Sequence, residues 1–263
     1  VIEPGTPRIL VIAGTDSSGG AGLTRDTAMA QRLGCSVAPV VTAVTAQTST
    51  ALTSLWPVPP EDIAAQITAA LREAPVQAIK IGMLGTPEAA RAVAELLPPE
   101  MPVVLDPVLN TSSGGTLGDL ISLAPLLRRV TLLTPNLQES ASLSGQPVSA
   151  ALPDLQLQAK ILMGWNGKTD PAGSSVQVAH NSGPNAVLIK GGHAKGAIST
   201  DHLFQPGRHN AYHAPRLPHG HRGTGCALAT AISCQLAQGH ALEEACARAK
   251  TALTEWLVQQ QID

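Results

Sequence analysis

Arg8-Ile9-Leu10-Val11-Ile12-Ala13-Gly14-Thr15-Asp16-Ser17-Ser18-Gly19-Gly20-Ala21-Gly22 joins an unbroken apolar run to a glycine-rich turn. Branched aliphatic residues with no polar alternation suit a strand covered on both faces. The turn leads into a helix-period segment, Ala21 to Leu33, so the stretch reads as strand, turn, helix. Its glycines let the backbone approach a ligand and present amide donors, although a turn that simply needs positive φ fits as well. The spacing of Gly19-Gly20-Ala21-Gly22 is not the G-x-G-x-x-G dinucleotide fingerprint.

The same alternation repeats along the chain. Strand-like runs are Ser36 to Val44, Gln77 to Gly82, Pro102 to Asp106, Val130 to Thr134 and Asn185 to Lys190. Helical segments lie between them at Glu61 to Arg72, Pro87 to Leu97, Gly118 to Arg128 and Asp154 to Met163. Glu61-Asp62 after Pro59-Pro60 places acidic residues in a first helical turn, where the helix dipole favours them. Right-handed crossovers then give a three-layer α/β/α sandwich with a mostly parallel central sheet. After Lys190 the rhythm changes. Ser199 to Phe204 and Asn210 to Ala214 read as a short antiparallel extension around Pro206-Gly207. Helices from Thr224 to Gln238 and Leu242 to Gln260 close the chain, and Gly164 to Gly183 reads as a long surface loop. No repeat or linker divides residues 1–263, so one domain is expected.

Composition narrows the function classes. With 44% hydrophobic and 14% charged residues, 263 residues suffice for a large core. A net charge of −2 and no long run of like charges argue against nucleic acid or an anionic membrane as partner. Three Trp, one Tyr and one Phe are too few for base-stacking platforms. No apolar stretch reaches the ~18 residues of a membrane span. Val1-Ile2-Glu3-Pro4-Gly5 lacks a basic segment followed by an apolar one, so no secretory signal is expected. Cys35, Cys226, Cys234 and Cys246 form no C-x-x-C pair and read as reduced thiols, which points to the cytoplasm.

Ligands of open α/β sheets bind beyond the carboxyl ends of the strands, and polar residues collect in those turns here. His221-Arg222-Gly223-Thr224-Gly225-Cys226 opens a helix of small residues, whose unpaired amides form an anion hole. Arg222 can neutralise phosphate charge, and Cys226 sits where the helix dipole favours thiolate. A tightly packed helix start with a buried Cys is the plain alternative. Asn136 and Glu139 share one side of a helix's opening turn. They could organise a hydrated Mg²⁺, and they fit a capping box equally. Lys190-Gly191-Gly192-His193 could meet nucleotide phosphate, Asp106 ends a strand on the same rim, and Met83 could cover a flat ring. Gly167-Lys168-Thr169 is not a P-loop, because Leu162 stands where the first glycine belongs. His219-x-His221 has no third ligand at metal spacing.

Taken in order, Ala13 to Gly22, Thr45-Ala46-Gln47, Lys80-Ile81-Gly82-Met83-Leu84, Asp106-Pro107-Val108, Thr134-Pro135-Asn136, Lys190-Gly191-Gly192-His193 and Gly223-Thr224-Gly225-Cys226 form a set. That set resembles the hydroxymethylpyrimidine/phosphomethylpyrimidine kinases, a branch of the ribokinase-like superfamily, over about residues 8 to 260. The resemblance implies an ATP- and Mg²⁺-dependent kinase that phosphorylates 4-amino-5-hydroxymethyl-2-methylpyrimidine and then its monophosphate. It implies that Gln47 hydrogen-bonds the aminopyrimidine edge while Gly14, Asp26, Met83 and Val108 line that pocket. Asn136 and Glu139 would serve Mg²⁺ and phosphate, with Lys190, Asp106 and Asn136 on the nucleotide side. Gly223, Thr224, Gly225 and Cys226 would hold the transferring phosphoryl group, Cys226 standing where many relatives carry an Asp base. A homodimer is implied in the same way.

The chain departs from that pattern at Leu23-Thr24-Arg25, Thr48, Ser112, Gly115 and His221-Arg222, which bears on the second phosphorylation and on substrate choice. Pyridoxal kinase, from the same superfamily, is the competing enzymatic reading, and a pyrimidine-binding paralogue without catalysis is the other.

Overall fold

The computed structural model describes residues 5–109, 120–164, 183–192, 194–217 and 221–260. β1 (Arg8–Ala13) lies inside an eight-stranded sheet and is buried at every position. β2 (Ser36–Val41) pairs with it in parallel on one side, and β5 (Ala78–Ile81) on the other. Parallel pairing continues through β6 (Val103–Leu105), β7 (Leu132–Leu133) and β8 (Ala186–Ile189). β9 (Ile198–Gln205) and β10 (Arg208–Pro215) add an antiparallel pair, turning at Pro206-Gly207. The order β10-β9-β8-β7-β6-β5-β1-β2 gives the expected mostly parallel sheet with its antiparallel extension.

Alternate residues of β1 feed opposite layers, as the pleat requires. Leu10 and Ile12 pack into a cluster with Ile63 and Ile67 of α2 (Pro60–Glu73), Val93 of α3 (Pro87–Leu96) and Leu126 of α4 (Leu120–Leu127). Leu143 of α5 (Leu137–Ser144) and Leu155 of α6 (Leu152–Met163) join the same layer. Ile9, Val11 and Ala13 face the other layer, with Leu23 and Ala30 of α1 (Gly22–Arg32) and Cys234 of α7 (Thr224–Ala237). α8 (Leu242–Gln259) packs behind α7 through Ala245, Cys246 and Ala249. Each fully buried Leu or Ile contributes about 1.5–3 kcal/mol, which is why an unalternated run must sit between two layers.

Three expectations need correction. Ser36 to Val44 is not one strand: β2 stops at Val41, and β3 (Ala43–Gln47) leaves to pair antiparallel with β4 (Leu52–Pro57). Thr42 makes the break, its amide donating to Ala13 O at 3.1 Å and its hydroxyl to Met83 O at 2.6 Å. Val130 to Thr134 shortens to a two-residue ladder, although Thr134 N still donates to Leu105 O and Asn136 still bridges Lys190. α6 begins at Leu152, two residues early, because Pro153 fits a first helical turn. Most of the long loop, the residues between Asn110 and Gly115, His193 and His219 lie outside the described residues. Among the described residues, no helix is long and apolar enough to cross a membrane.

Candidate active site

β1, β5, β6, β7 and β8 run in parallel, so their carboxyl ends open on one edge of the sheet. The residues just beyond them line a single cleft of about 630 Å³. Asp16 follows β1, Met83 follows β5, Asp106 and Val108 follow β6, Asn136 follows β7 and Lys190 follows β8. Gln47 enters from the end of β3, and Gly223, Thr224, Gly225 and Cys226 enter from the start of α7.

The α7 start is built for close approach. Gly223 is left-handed at φ 73°, and a Cβ there would run into Gly20 O. A Cβ on Gly225 would stand 3.1 Å from Lys190 Nζ and 3.5 Å from Asp106 Oδ2. No side chain caps this helix, so its first amides face the cleft. Cys226 is partly exposed beside them. Burial pushes its thiol up to about 11; Lys80 opposes the shift, while Asp26 and Asp106 add to it. The thiolate expected from the helix dipole is therefore not favoured, because desolvation and two carboxylates outweigh that dipole.

Below the turn, Lys190 Nζ lies 2.6 Å from Asp106 Oδ1. Burial works against this ammonium, but Asp106 and Glu139 hold it protonated. Asn136 and Glu139 form the capping box: Asn136 Oδ1 accepts from Glu139 N, and Glu139 Oε2 accepts from Asn136 N, both at 2.8 Å. Both also line the cleft, so the structural and functional readings of their spacing are compatible. Burial raises Glu139 to about 7; Lys190 resists and Asp106 assists.

Gln47, Met83 and Val108 also line the cleft. Gly14 and Asp26 do not. Gly14 stands behind Met83, whose methyl group fills the space a Cβ would take, and Gly14 O accepts from Leu23 N. Asp26 is fully buried one layer down, 2.7 Å from Lys80 Nζ and 2.8 Å from Thr230 Oγ1. Lining by Asp26 was expected and does not occur, because an α1 carboxylate facing the sheet meets the β5 lysine first.

Sequence reasoning missed the role of Lys80. Its signal was a cation inside the apolar run Ala78-Ile79-Lys80-Ile81, which demands a buried partner. Two further pairs at the cleft were also missed. Lys250 Nζ lies 2.8 Å from Asp201 Oδ2, while Asp201 Oδ1 accepts from Gly191 N and so fixes the turn that follows Lys190. Arg222 reaches Asp16, Ser18 and Thr48 O. Both pairs join residues distant in sequence, and no local pattern announces them.

Comparison with known proteins agrees with this geometry. The phosphomethylpyrimidine kinase family model matches residues 16–262. A hydroxymethylpyrimidine/phosphomethylpyrimidine kinase of Streptomyces coelicolor is 36% identical over 94% of this chain and 87% of that protein. A thiamine biosynthesis bifunctional protein of Geobacter sulfurreducens is 34% identical over 94% of this chain, which spans 48% of it. Among solved structures, pyridoxal kinase of Staphylococcus aureus in complex with pyridoxal matches with TM-score 0.78 and 28% identity, covering 93% of this chain and 85% of its own. Phosphomethylpyrimidine kinase of Clostridium difficile matches with TM-score 0.75 and 28% identity, covering 95% and 99%. The ordered motifs, the cleft at the carboxyl edge of the sheet and these matches agree that the chain belongs to the phosphomethylpyrimidine kinase family, kinases of ribokinase-like fold.

Proposed function

We propose that this chain transfers the γ-phosphoryl group of ATP to the hydroxymethyl group of 4-amino-5-hydroxymethyl-2-methylpyrimidine, and then to the resulting monophosphate. The observation that carries the reading is one cleft lined both by an amide side chain, Gln47, and by a bare helix start beside Lys190 and Asp106. An amide can pair with the donor and acceptor of an aminopyrimidine edge together. The α7 amides and Lys190 suit a transferring phosphoryl group, which asks for positioning and charge stabilisation rather than covalent chemistry. Ala214, Leu217, Leu228, Leu253 and Leu257 line the same cleft and offer apolar surface to a nucleoside.

The donor set also bears on magnesium. Among the described residues no three His, Cys, Asp or Glu converge on a metal position. Asp106, Glu139 and Asn136 instead share a rim with the phosphate-facing Lys190. That fits a cation held mostly by water and phosphate, with few protein ligands. A bound Mg²⁺ would neutralise charge on the phosphate oxygens. Glu139, raised to about 7, reaches its carboxylate form near neutral pH and can then hold a water or a cation.

Cys226 orients the acceptor hydroxyl. With the thiol pushed up to about 11, roughly one molecule in 10⁴ carries the thiolate at pH 7. A loose transition state places little demand on a base, so orientation matters more than proton removal. Cys226→Ala is expected to lower turnover at least tenfold with pyrimidine affinity nearly intact, and Cys226→Ser to recover much of the loss. A Ser variant as slow as Ala would return Cys226 to the role of base.

The likeness to pyridoxal kinase favours pyridoxal as the second reading. The test is to incubate the protein with Mg·ATP and each acceptor in parallel and identify products by mass spectrometry. Mono- and diphosphorylated pyrimidine are expected; pyridoxal phosphate alone would move the activity to the rival acceptor.

A further inference from the structure

The two transfers proposed above make different demands on one cleft. In the first, a neutral alcohol oxygen attacks the γ-phosphorus, the β–γ bridging P–O bond breaks, ADP leaves and the alcohol proton passes to a phosphate oxygen or to water. In the second, an oxygen of the substrate's own phosphate attacks, the same bond breaks, and that oxygen is already deprotonated. No base is required, but an anionic nucleophile must approach an anionic triphosphate. The second step therefore needs a cation at the acceptor's end of the cleft.

Among the described residues, the Lys and Arg side chains lining the cleft are Lys80, Lys190, Arg216, Arg222 and Lys250. Lys80 is held 2.7 Å from Asp26 with both side chains fully buried. Lys190 lies 2.6 Å from Asp106 beneath the α7 turn, and Lys250 lies 2.8 Å from Asp201. Arg216 donates to the carbonyls of Gly191, Gly192, Gly196 and Ile198, at the end where β8 gives way to β9. Arg222 differs in place and in pairing. Its Nη1 donates to Thr48 O, one residue beyond Gln47, at 2.6 Å, and it directly precedes the Gly223–Cys226 turn. Its contact with Asp16 Oδ2, 3.3 Å, is longer than the three lysine pairs at 2.6–2.8 Å, and its side chain is 17% exposed. Charge-assisted bonds of full strength are about 2.7–2.9 Å, so the Asp16 contact is the weaker kind of ion pair, while Ser18 Oγ at 3.1 Å and Thr48 O at 2.6 Å help to place the guanidinium.

We propose that Arg222 is the specificity residue of the second transfer: its guanidinium exchanges part of its contact with Asp16 for the phosphate of the phosphomethylpyrimidine. A planar fork suits a phosphate in two-point contact, which a lysine cannot reproduce. Asp16 shields the charge when the acceptor is uncharged, so the first transfer proceeds with Arg222 paired. The inference rests on the two-step kinase reading above, and its test separates the two.

The test measures kcat/KM for each acceptor, and calorimetric binding of the phosphomethylpyrimidine without ATP, for wild type, Arg222→Met, Arg222→Lys and Asp16→Asn. For Arg222→Met the ratio of second-step to first-step kcat/KM is expected to fall at least tenfold, with monophosphate affinity falling similarly. Arg222→Lys should recover only part. Asp16→Asn, which removes the competing carboxylate, should hold or tighten monophosphate binding, and it answers the question if Arg222→Met does not fold. Equal losses on both acceptors in a folded Arg222 variant, or weaker monophosphate binding in folded Asp16→Asn, overturn the proposal. A wild type that makes no product would refute the kinase reading and with it the second transfer, whereas a wild type that makes both products while Arg222→Met loses nothing on the monophosphate would overturn only the role of Arg222.

Discussion

At the residue scale, the chemistry of the cleft is set by burial acting on a few ionisable groups. The thiol of Cys226 is pushed up to about 11, so alkylation by iodoacetamide should be slow at pH 7 and accelerate only towards pH 10 and above. Mass spectrometry of the Cys226 peptide reads this directly, and rapid modification at pH 7 would contradict it. Glu139 is an acid whose value rises on folding, from 4.5 to about 7. The folded chain thus holds this proton more tightly than the unfolded chain. Its contribution to stability is full at low pH and is lost as pH climbs from roughly 4.5 to 7. In Glu139→Gln that part of the pH dependence of melting should vanish, along with the inflection near pH 7 in kcat. Gln still accepts at the third helical position, so the cap survives. Lys80 is the least forgiving position: burial opposes its charge, but Asp26 holds it protonated. Lys80→Met strands a buried carboxylate and should cost about 3–5 kcal/mol in denaturant unfolding, whereas Lys80→Met with Asp26→Asn should cost clearly less. A cation inside the apolar run Ala78-Ile79-Lys80-Ile81 is the one local sign of this pair in the sequence. It does not announce Asp26 as the partner, since the pairing spans α1 and β5, and so Asp26 was read as a pocket residue.

At the scale of elements, what could be read was whatever local chemistry dictates. Unalternated strands, the Pro206-Gly207 hairpin and the glycine-rich opening of α7 all follow from residue type. The split of β2 from β3 does not. Its cause is tertiary: β2 is the sheet's edge, Thr42 is tied to Ala13 and Met83, and the chain is redirected to meet β4. That redirection carries Gln47 to the cleft. Gln47→Ala should weaken pyrimidine binding about tenfold and pyridoxal binding much less, and equal losses in calorimetry would remove Gln47 from recognition. The α7 start has less tolerance. Gly223 needs φ 73°, and a Cβ there meets Gly20 O, so Gly223→Ala should reduce turnover by orders of magnitude and cost more than 1 kcal/mol in stability. Near-normal kinetics in that variant would show that the turn is not needed as built.

At the scale of the whole molecule, the parallel sheet does most of the functional work. Its parallel strands end on one edge, and motifs far apart in sequence, from Asp16 to Cys226, become the walls of one cleft. Their order along the chain made the cleft foreseeable, because most of the polar turns follow a strand. The ion pairs that brace it, Asp26 with Lys80 and Asp201 with Lys250, were not foreseeable, since only the three-dimensional crossing of helices and strands brings them together. The central claim is that this cleft phosphorylates an aminopyrimidine alcohol twice. A time course of products from 4-amino-5-hydroxymethyl-2-methylpyrimidine with Mg·ATP tests it most directly. Monophosphate appearing first and then giving way to diphosphate is the predicted result, and a reaction that stops at the monophosphate or yields no phosphorylated pyrimidine would contradict the account.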